Sequence, residues 1–149
     1  MNRSRVYVAS SWRNPYQPGV VSLLRLAGHE VYDFRNPKPG DNGFHWSAID
    51  PDWTEWSGPQ YRSALSHPVA ESGFSLDINA LRWAEVTVCV LPCGRSAHLE
   101  LGYACGVGQR TIVYIPPGER VEPELMYKAC SAIVLSEPEL LVALETVPA

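Results

Sequence analysis

The chain has 149 residues, with 12 Lys and Arg against 16 Asp and Glu for a formal net charge of -4. An acidic balance with no basic run lacks the footprint that holds nucleic-acid polymers, and no apolar stretch approaches the roughly 20 residues needed to span a bilayer. At 46% hydrophobic residues the chain can fill a core and is too apolar for a disordered segment, so one domain over 1–149 is expected, acting on a small molecule and using neither a nucleic-acid polymer nor a membrane.

In chain order, the basic start Met1 to Arg5 is followed by an apolar run of only Val6 to Ala9, too short for a secretory signal, so a cytoplasmic protein is expected. Arg5 to Ala9 reads as a strand, Val20 to Ala27 as a helix ended by Gly28, and Glu30 to Phe34 as a second strand. The stretch at about 35–58 is rich in Pro, Gly, Asp and Trp, and is too long for a plain loop in a compact domain. It reads either as a lid, binding loop or interface, or as a satellite cluster covering one end of the sheet. A helix over about Ser72 to Ala84 follows. Then come strands at Thr87 to Leu91, Thr111 to Ile115 and Ala132 to Leu135, with helices at about Ala97 to Val107, Pro123 to Ala129 and Glu137 to Glu145. The last three strands are nearly continuous apolar runs, as strands covered on both faces are. The succession predicts an α/β fold: a doubly wound, five-stranded parallel sheet of flavodoxin-like order 2-1-3-4-5 with helices on both faces.

Cys89, Cys93, Cys105 and Cys130 lack zinc-finger spacing and histidine partners in sequence, and read as reduced thiols, so no metal is expected. In a sheet of this order ligands bind beyond the carboxyl ends of the first and third strands. That rule selects the loops Ser10-Ser-Trp-Arg-Asn14 and Leu91-Pro-Cys-Gly-Arg-Ser96, the second opening onto a helix with Ser96 as expected N-cap. Glu100 stands in the first turns of that helix among apolar and small residues, and Gly102, Ala104 and Gly106 suggest close packing on the sheet. An isolated carboxylate there is costly unless it is hydrogen-bonded or faces a wet cleft. Asp77 falls at helical spacing from Phe74, Leu81 and Ala84, a second acid on an otherwise apolar stripe. Paired carboxylates suit glycosidic chemistry.

Tyr7 in the first strand, Asp77 in Leu76-Asp-Ile-Asn-Ala-Leu81, and Glu100-Leu-Gly-Tyr-Ala104 after the third strand resemble the nucleoside 2-deoxyribosyltransferase family, which includes 2'-deoxynucleoside 5'-monophosphate N-glycosidases. The resemblance covers roughly Val6 to Leu135. It implies an enzyme without a cofactor that cleaves or transfers the N-glycosidic bond of a nucleoside or nucleotide. Glu100 would be the nucleophile carrying a covalent glycosyl intermediate, Tyr7 would orient it, and Asp77 would assist the base or sugar. It further implies that Ser11 and Arg13, with Gly94, Arg95 and Ser96, cradle the sugar or its 5'-substituent. Glu124-Leu-Met126 resembles a family stretch that reaches a neighbouring subunit's site, so Glu124 and Met126 are candidate substrate-binding residues and a homodimer or higher homo-oligomer is expected.

The chain departs from the family pattern in three places, the third being the tryptophan-rich insertion from Phe44 to Trp56, which has no counterpart there. The transferases carry a further aspartate where this chain has Cys93 to His98, and Glu124 replaces an amide or hydroxyl residue. The first departure motivates an alternative, a non-catalytic sensor of a nucleotide-like ligand on the same fold. A third reading is an NAD glycohydrolase, because Toll/interleukin-receptor-like domains have a related sheet and a catalytic glutamate.

Overall fold

The computed structural model describes residues 3–145. The chain divides into two compact units, Met1–Asp33 with Trp83–Ala149, and Phe34–Arg82.

The first unit holds the sheet. Strands β1 (Arg5–Ala9), β2 (Glu30–Asp33), β3 (Val86–Val90), β4 (Arg110–Tyr114) and β5 (Ala132–Val134) lie in the order β2-β1-β3-β4-β5, every neighbouring pair parallel. This is the topology that the alternation of apolar runs and helical stretches predicts. Successive strand residues face opposite sides, and the two sides differ in chemistry. Val6, Val8, Val86, Val88, Val90, Ile112, Tyr114 and Val134 form one buried face. It packs against Val20, Val21 and Leu24 of α1 (Gln17–Leu26) and Leu140 and Leu144 of α5 (Glu137–Glu145).

The other face carries Tyr7, Thr87, Cys89 and Thr111, all at most 1% exposed. It is covered by α4 (Arg95–Gly106), whose Cys105 thiol reaches the Thr111 hydroxyl at 3.5 Å. Buried hydroxyls need partners. Thr87 accordingly donates to the Gln109 amide oxygen at 2.9 Å, and Thr111 and Ser131 exchange backbone-to-hydroxyl bonds of 3.0 and 3.1 Å that fix the start of β5 against β4. Helices α1 and α4 both end in a glycine with positive φ, Gly28 at 97° and Gly108 at 81°, the left-handed backbone that closes a helix.

The second unit contains α2 (Gly58–Ala64), nearly all of α3 (Pro68–Trp83), and 3-10 turns at Trp46–Ala48 and Trp53–Glu55. Ser57 and Gln60 form a reciprocal capping box that starts α2. Trp46 is the hub of an aromatic cluster, edge-on to Phe44, Trp56 and Tyr61 at centroid distances of 4.7, 5.6 and 6.1 Å. The Trp56 indole donates to Asp50 at 2.8 Å, and a bond from the Asp52 amide together with this one holds the Asp50 carboxyl below its usual range. Gly73 of α3 faces the Phe44 ring of this cluster. A Cβ there would sit 3.0 Å from the Phe44 ring, so a side chain would push the ring aside. The tryptophan-rich stretch therefore forms a half-buried aromatic cluster with its own turns, and its unit continues through α2 and most of α3.

Four local expectations are corrected. Helix α3 begins at Pro68 rather than Ser72, with proline in the first turn, where its missing N–H is harmless. Between the insertion and α3, α2 is an additional helix. Gly94, not Ser96, is the N-cap of α4, and no side chain caps that end. Gly102 and Gly106 do not mediate close packing: a Cβ at either would meet nothing within 4 Å, and the helix rests on buried Ala97, Leu101 and Ala104.

Candidate active site

The loops after β1 and β3 meet, as the strand order requires, and Asn14 joins them. Its side-chain amide is 2% exposed and donates to the carbonyls of Val90 at 3.1 Å and Pro92 at 2.9 Å. Its carbonyl accepts from the backbone N–H groups of Tyr16 and Gln17 at 2.7 and 2.9 Å, which anchors the start of α1. Ser10 adds a bond to the Val90 carbonyl at 2.8 Å. One asparagine thus uses both donors and its acceptor to hold the two loops in register. Asn14→Ala is expected to cost about 1–3 kcal/mol, because buried groups lose partners in a place water cannot easily reach. Asn14→Asp is expected to cost more, since a carboxylate oxygen would face two carbonyl oxygens; urea unfolding of the two variants checks both.

Glu100 lies in the second turn of α4, half-buried, and its Oε2 accepts a hydrogen bond from the Tyr7 hydroxyl. Tyr7 comes from the middle of β1 and is fully buried, its ring stacked on Tyr32 of β2 with centroids 5.3 Å apart and planes 21° apart. A residue from a rigid central strand therefore sets the orientation of a carboxylate on the helix above. This pair is the part of the expected constellation that the first unit brings together. Asp77 belongs to the second unit, where it is half-buried on α3 and lines a cavity of about 340 Å³ with Phe34, Phe44, His45 and Leu76.

The remaining candidates in the first unit lie on exposed segments. Ser11 is half-buried and Arg13 exposed on the β1–α1 loop, while Gly94, Arg95 and Ser96 are exposed where α4 begins. Glu124 and Met126 flank the start of a 3-10 turn, Leu125–Ala129, after β4. The Glu124 carboxylate accepts from the Met126 N–H at 2.6 Å, so it caps its own turn, and Leu125 and Met126 are 76% and 70% exposed.

Two groups near the site are not evident from sequence spacing. His98 stacks on Tyr127 of the 3-10 turn at 5.8 Å and bonds its hydroxyl at 2.8 Å, which fastens that turn to α4. Burial first, and then the neighbouring thiols of Cys89 and Cys93, push the Tyr127 phenol up to about 12, so it stays a donor. The four free cysteines, far from scattered, come in two close pairs, Cys89 with Cys93 at 3.4 Å and Cys105 with Cys130 at 3.9 Å. Among the described residues no group of three or more His, Cys, Asp or Glu is arranged to hold a metal ion.

No protein-family model matches the chain, and no curated protein matches its sequence significantly. Solved structures do match. A CMP N-glycosidase from Clostridium botulinum aligns with a TM-score of 0.51 over 95% of this chain and 99% of its own, at 16% identity. A 2-deoxyribosyltransferase from the psychrotolerant bacterium Bacillus psychrosaccharolyticus aligns with a TM-score of 0.55 over 96% of this chain and 91% of its own, at 20% identity. The chain therefore has the α/β fold of these two proteins, which is the fold that its resemblance to nucleoside 2-deoxyribosyltransferases implies.

Proposed function

We propose that the chain cleaves or transfers the N-glycosidic bond of a nucleoside or nucleoside 5'-monophosphate, with Glu100 as nucleophile. The observation that carries this reading is the Tyr7–Glu100 hydrogen bond, which sets a half-buried carboxylate on the helix that leaves the switch-point strand. Its fold neighbours, one named as an N-glycosidase and one as a deoxyribosyltransferase, support the same reaction class.

The chemistry follows from what a carboxylate can do at an anomeric carbon. As the C1'–N bond lengthens, positive charge grows on C1' and the ring oxygen, and Glu100 stabilises it and then forms a C1'–O bond. The base leaves with the bonding electron pair and takes up a proton. Water attacking C1' of the glycosyl ester completes hydrolysis, whereas a second base completes transfer, and either releases Glu100. No metal or redox group is needed for these steps. Ser11, Arg13, Gly94, Arg95 and Ser96 are assigned to the sugar or its 5'-substituent. Two guanidinium groups and the N-terminus of α4 are suited to an anionic or oxygen-rich group. Glu124 and Met126 are assigned to the rim of a site in a neighbouring copy, which the exposed Leu125 and Met126 favour.

Asp77 is assigned to the departing base on the strength of the resemblance. If it delivers the proton, Asp77→Asn lowers turnover of a natural nucleoside by about 10²-fold, the usual size of a general-acid effect. The loss is much smaller for a sugar bearing a leaving group that needs no protonation. Equal losses for the two substrates would remove Asp77 from this role.

The test of the main reading is chromatography of free base after incubation with a panel of nucleosides, deoxynucleosides, their 5'-monophosphates and NAD. Base release or exchange from a nucleoside or monophosphate is the expected result. Release of nicotinamide alone would make the protein an NAD glycohydrolase. Tight calorimetric binding of a panel member with no turnover would make it a sensor.

A further inference from the structure

The end of β3 and the loop after it carry a thiol pair that glycosyl chemistry does not use. Cys89 is fully buried beneath α4, and its sulfur lies 3.4 Å from that of half-buried Cys93. Cys93 Sγ is also 3.7 Å from Nδ1 of His98. The Gly94 carbonyl, which can only accept, lies 2.8 Å from that nitrogen, and the Tyr127 hydroxyl lies 2.8 Å from Nε2, so the ring is fixed at both nitrogens with Nδ1 beside the sulfur. The outer thiol of the pair is thus reachable from solvent, and the inner one is in place behind it.

We propose that Cys93 is a peroxide-reactive thiol whose sulfenic acid is resolved by Cys89, giving an intrachain disulfide at the foot of the helix that carries Glu100. In the first step the Cys93 thiolate attacks one peroxide oxygen. An S–O bond forms, the O–O bond breaks, and the other oxygen leaves as hydroxide or, from an alkyl peroxide, as an alkoxide. In the second step the Cys89 sulfur attacks the Cys93 sulfur. An S–S bond forms, the S–O bond breaks, and the hydroxyl departs as water with the Cys89 proton. Two electrons pass from the two thiols to the peroxide, and a thiol reductant reverses the change.

Several features separate this pair from Cys105 and Cys130. The hydrogen bond from Cys89, helped by His98 and opposed by burial, holds the Cys93 thiol at about 7, while burial pushes Cys130 up to about 11. The sulfurs of Cys89 and Cys93 are also the closer pair, and have to close from 3.4 Å to the roughly 2.05 Å of a disulfide. Cys93 belongs to the short β3–α4 segment and lies between exposed Pro92 and Gly94.

The test uses the reduced, full-length protein and hydrogen peroxide, with free thiols then blocked and the peptides mapped by mass. The expected result is a Cys89–Cys93 linkage, two hydrogens lighter, that dithiothreitol reverses. In untreated protein at neutral pH, Cys93 should be alkylated at least about 10-fold faster than each of the other three thiols. Cys89→Ala should leave a Cys93 sulfenic acid that dimedone traps, and Cys93→Ser should abolish both products. A Cys105–Cys130 linkage formed first, or alkylation of Cys93 at the rate of its neighbours, would overturn the proposal. None of these readouts depends on glycosyl activity, so the proposal and the role of Glu100 stand or fall separately.

Discussion

Glu100→Gln is expected to reduce base release by at least about 10³–10⁴-fold with the melting temperature nearly unchanged. The amide is nearly isosteric and still accepts from the Tyr7 hydroxyl, so the contact between β1 and α4 survives. On the proposed mechanism, what disappears is the negative charge that stabilises the positive anomeric carbon and the oxygen that bonds to it. A loss of 10³ corresponds to about 4 kcal/mol of transition-state stabilisation, which is the scale expected when a covalent route is removed. Binding should suffer much less, so KM or a calorimetric Kd should stay within a few-fold of the wild-type value. In the wild-type protein, rapid acid quenching should leave the sugar as an ester on the peptide containing Glu100, and the variant should show none. Full activity in Glu100→Gln would end the assignment.

The sheet was readable from sequence because its signal is local. Runs such as Thr87 to Leu91 are nearly continuously apolar, rich in β-branched residues and too short for a helix, which suits a strand covered on both faces. Glu100 stands out for a related reason, as a carboxylate among apolar and small residues, whereas Tyr7 is indicated only by the family resemblance. What escaped depends on distant partners or on short-range ambiguity. Asn14 is followed by proline and reads as an ordinary turn residue, yet its acceptors lie 76 and 78 residues away. Gly102 and Gly106 look like packing glycines, but small residues are equally compatible with an open helix surface, and the contacts decide. The unit Phe34–Arg82 has no compositional boundary at its C-terminal end, because the division falls within the last turn of α3. The Cys89–Cys93 contact was hidden by the spacing itself: three residues intervene, so pairing requires the chain to turn at the end of β3.

Tyr7→Phe should separate orientation of the nucleophile from its presence. Phenylalanine keeps the ring that stacks on Tyr32 at 5.3 Å and keeps the volume of a fully buried site, so the sheet should fold as before. Only the hydroxyl is lost, and with it one donor to a carboxylate. Hydrogen bonds to charged groups are worth about 1.5–3 kcal/mol, which translates into roughly 10–150-fold if the whole bond serves the transition state. The expected loss in kcat is toward the lower end of that range, because the hydroxyl also stabilises the resting carboxylate and part of its effect cancels. KM should change little, since the hydroxyl is buried beneath the helix and has the Glu100 carboxylate as its partner. Single-turnover measurement of glycosyl-ester formation is the deciding experiment. A slower first step with an unchanged hydrolysis of the ester assigns Tyr7 to positioning Glu100 for attack, and an equal slowing of both steps assigns it to stabilising the carboxylate as attacking and leaving group alike. If kcat stays at the wild-type value, the Tyr7–Glu100 bond holds α4 on the sheet and has no part in the chemistry.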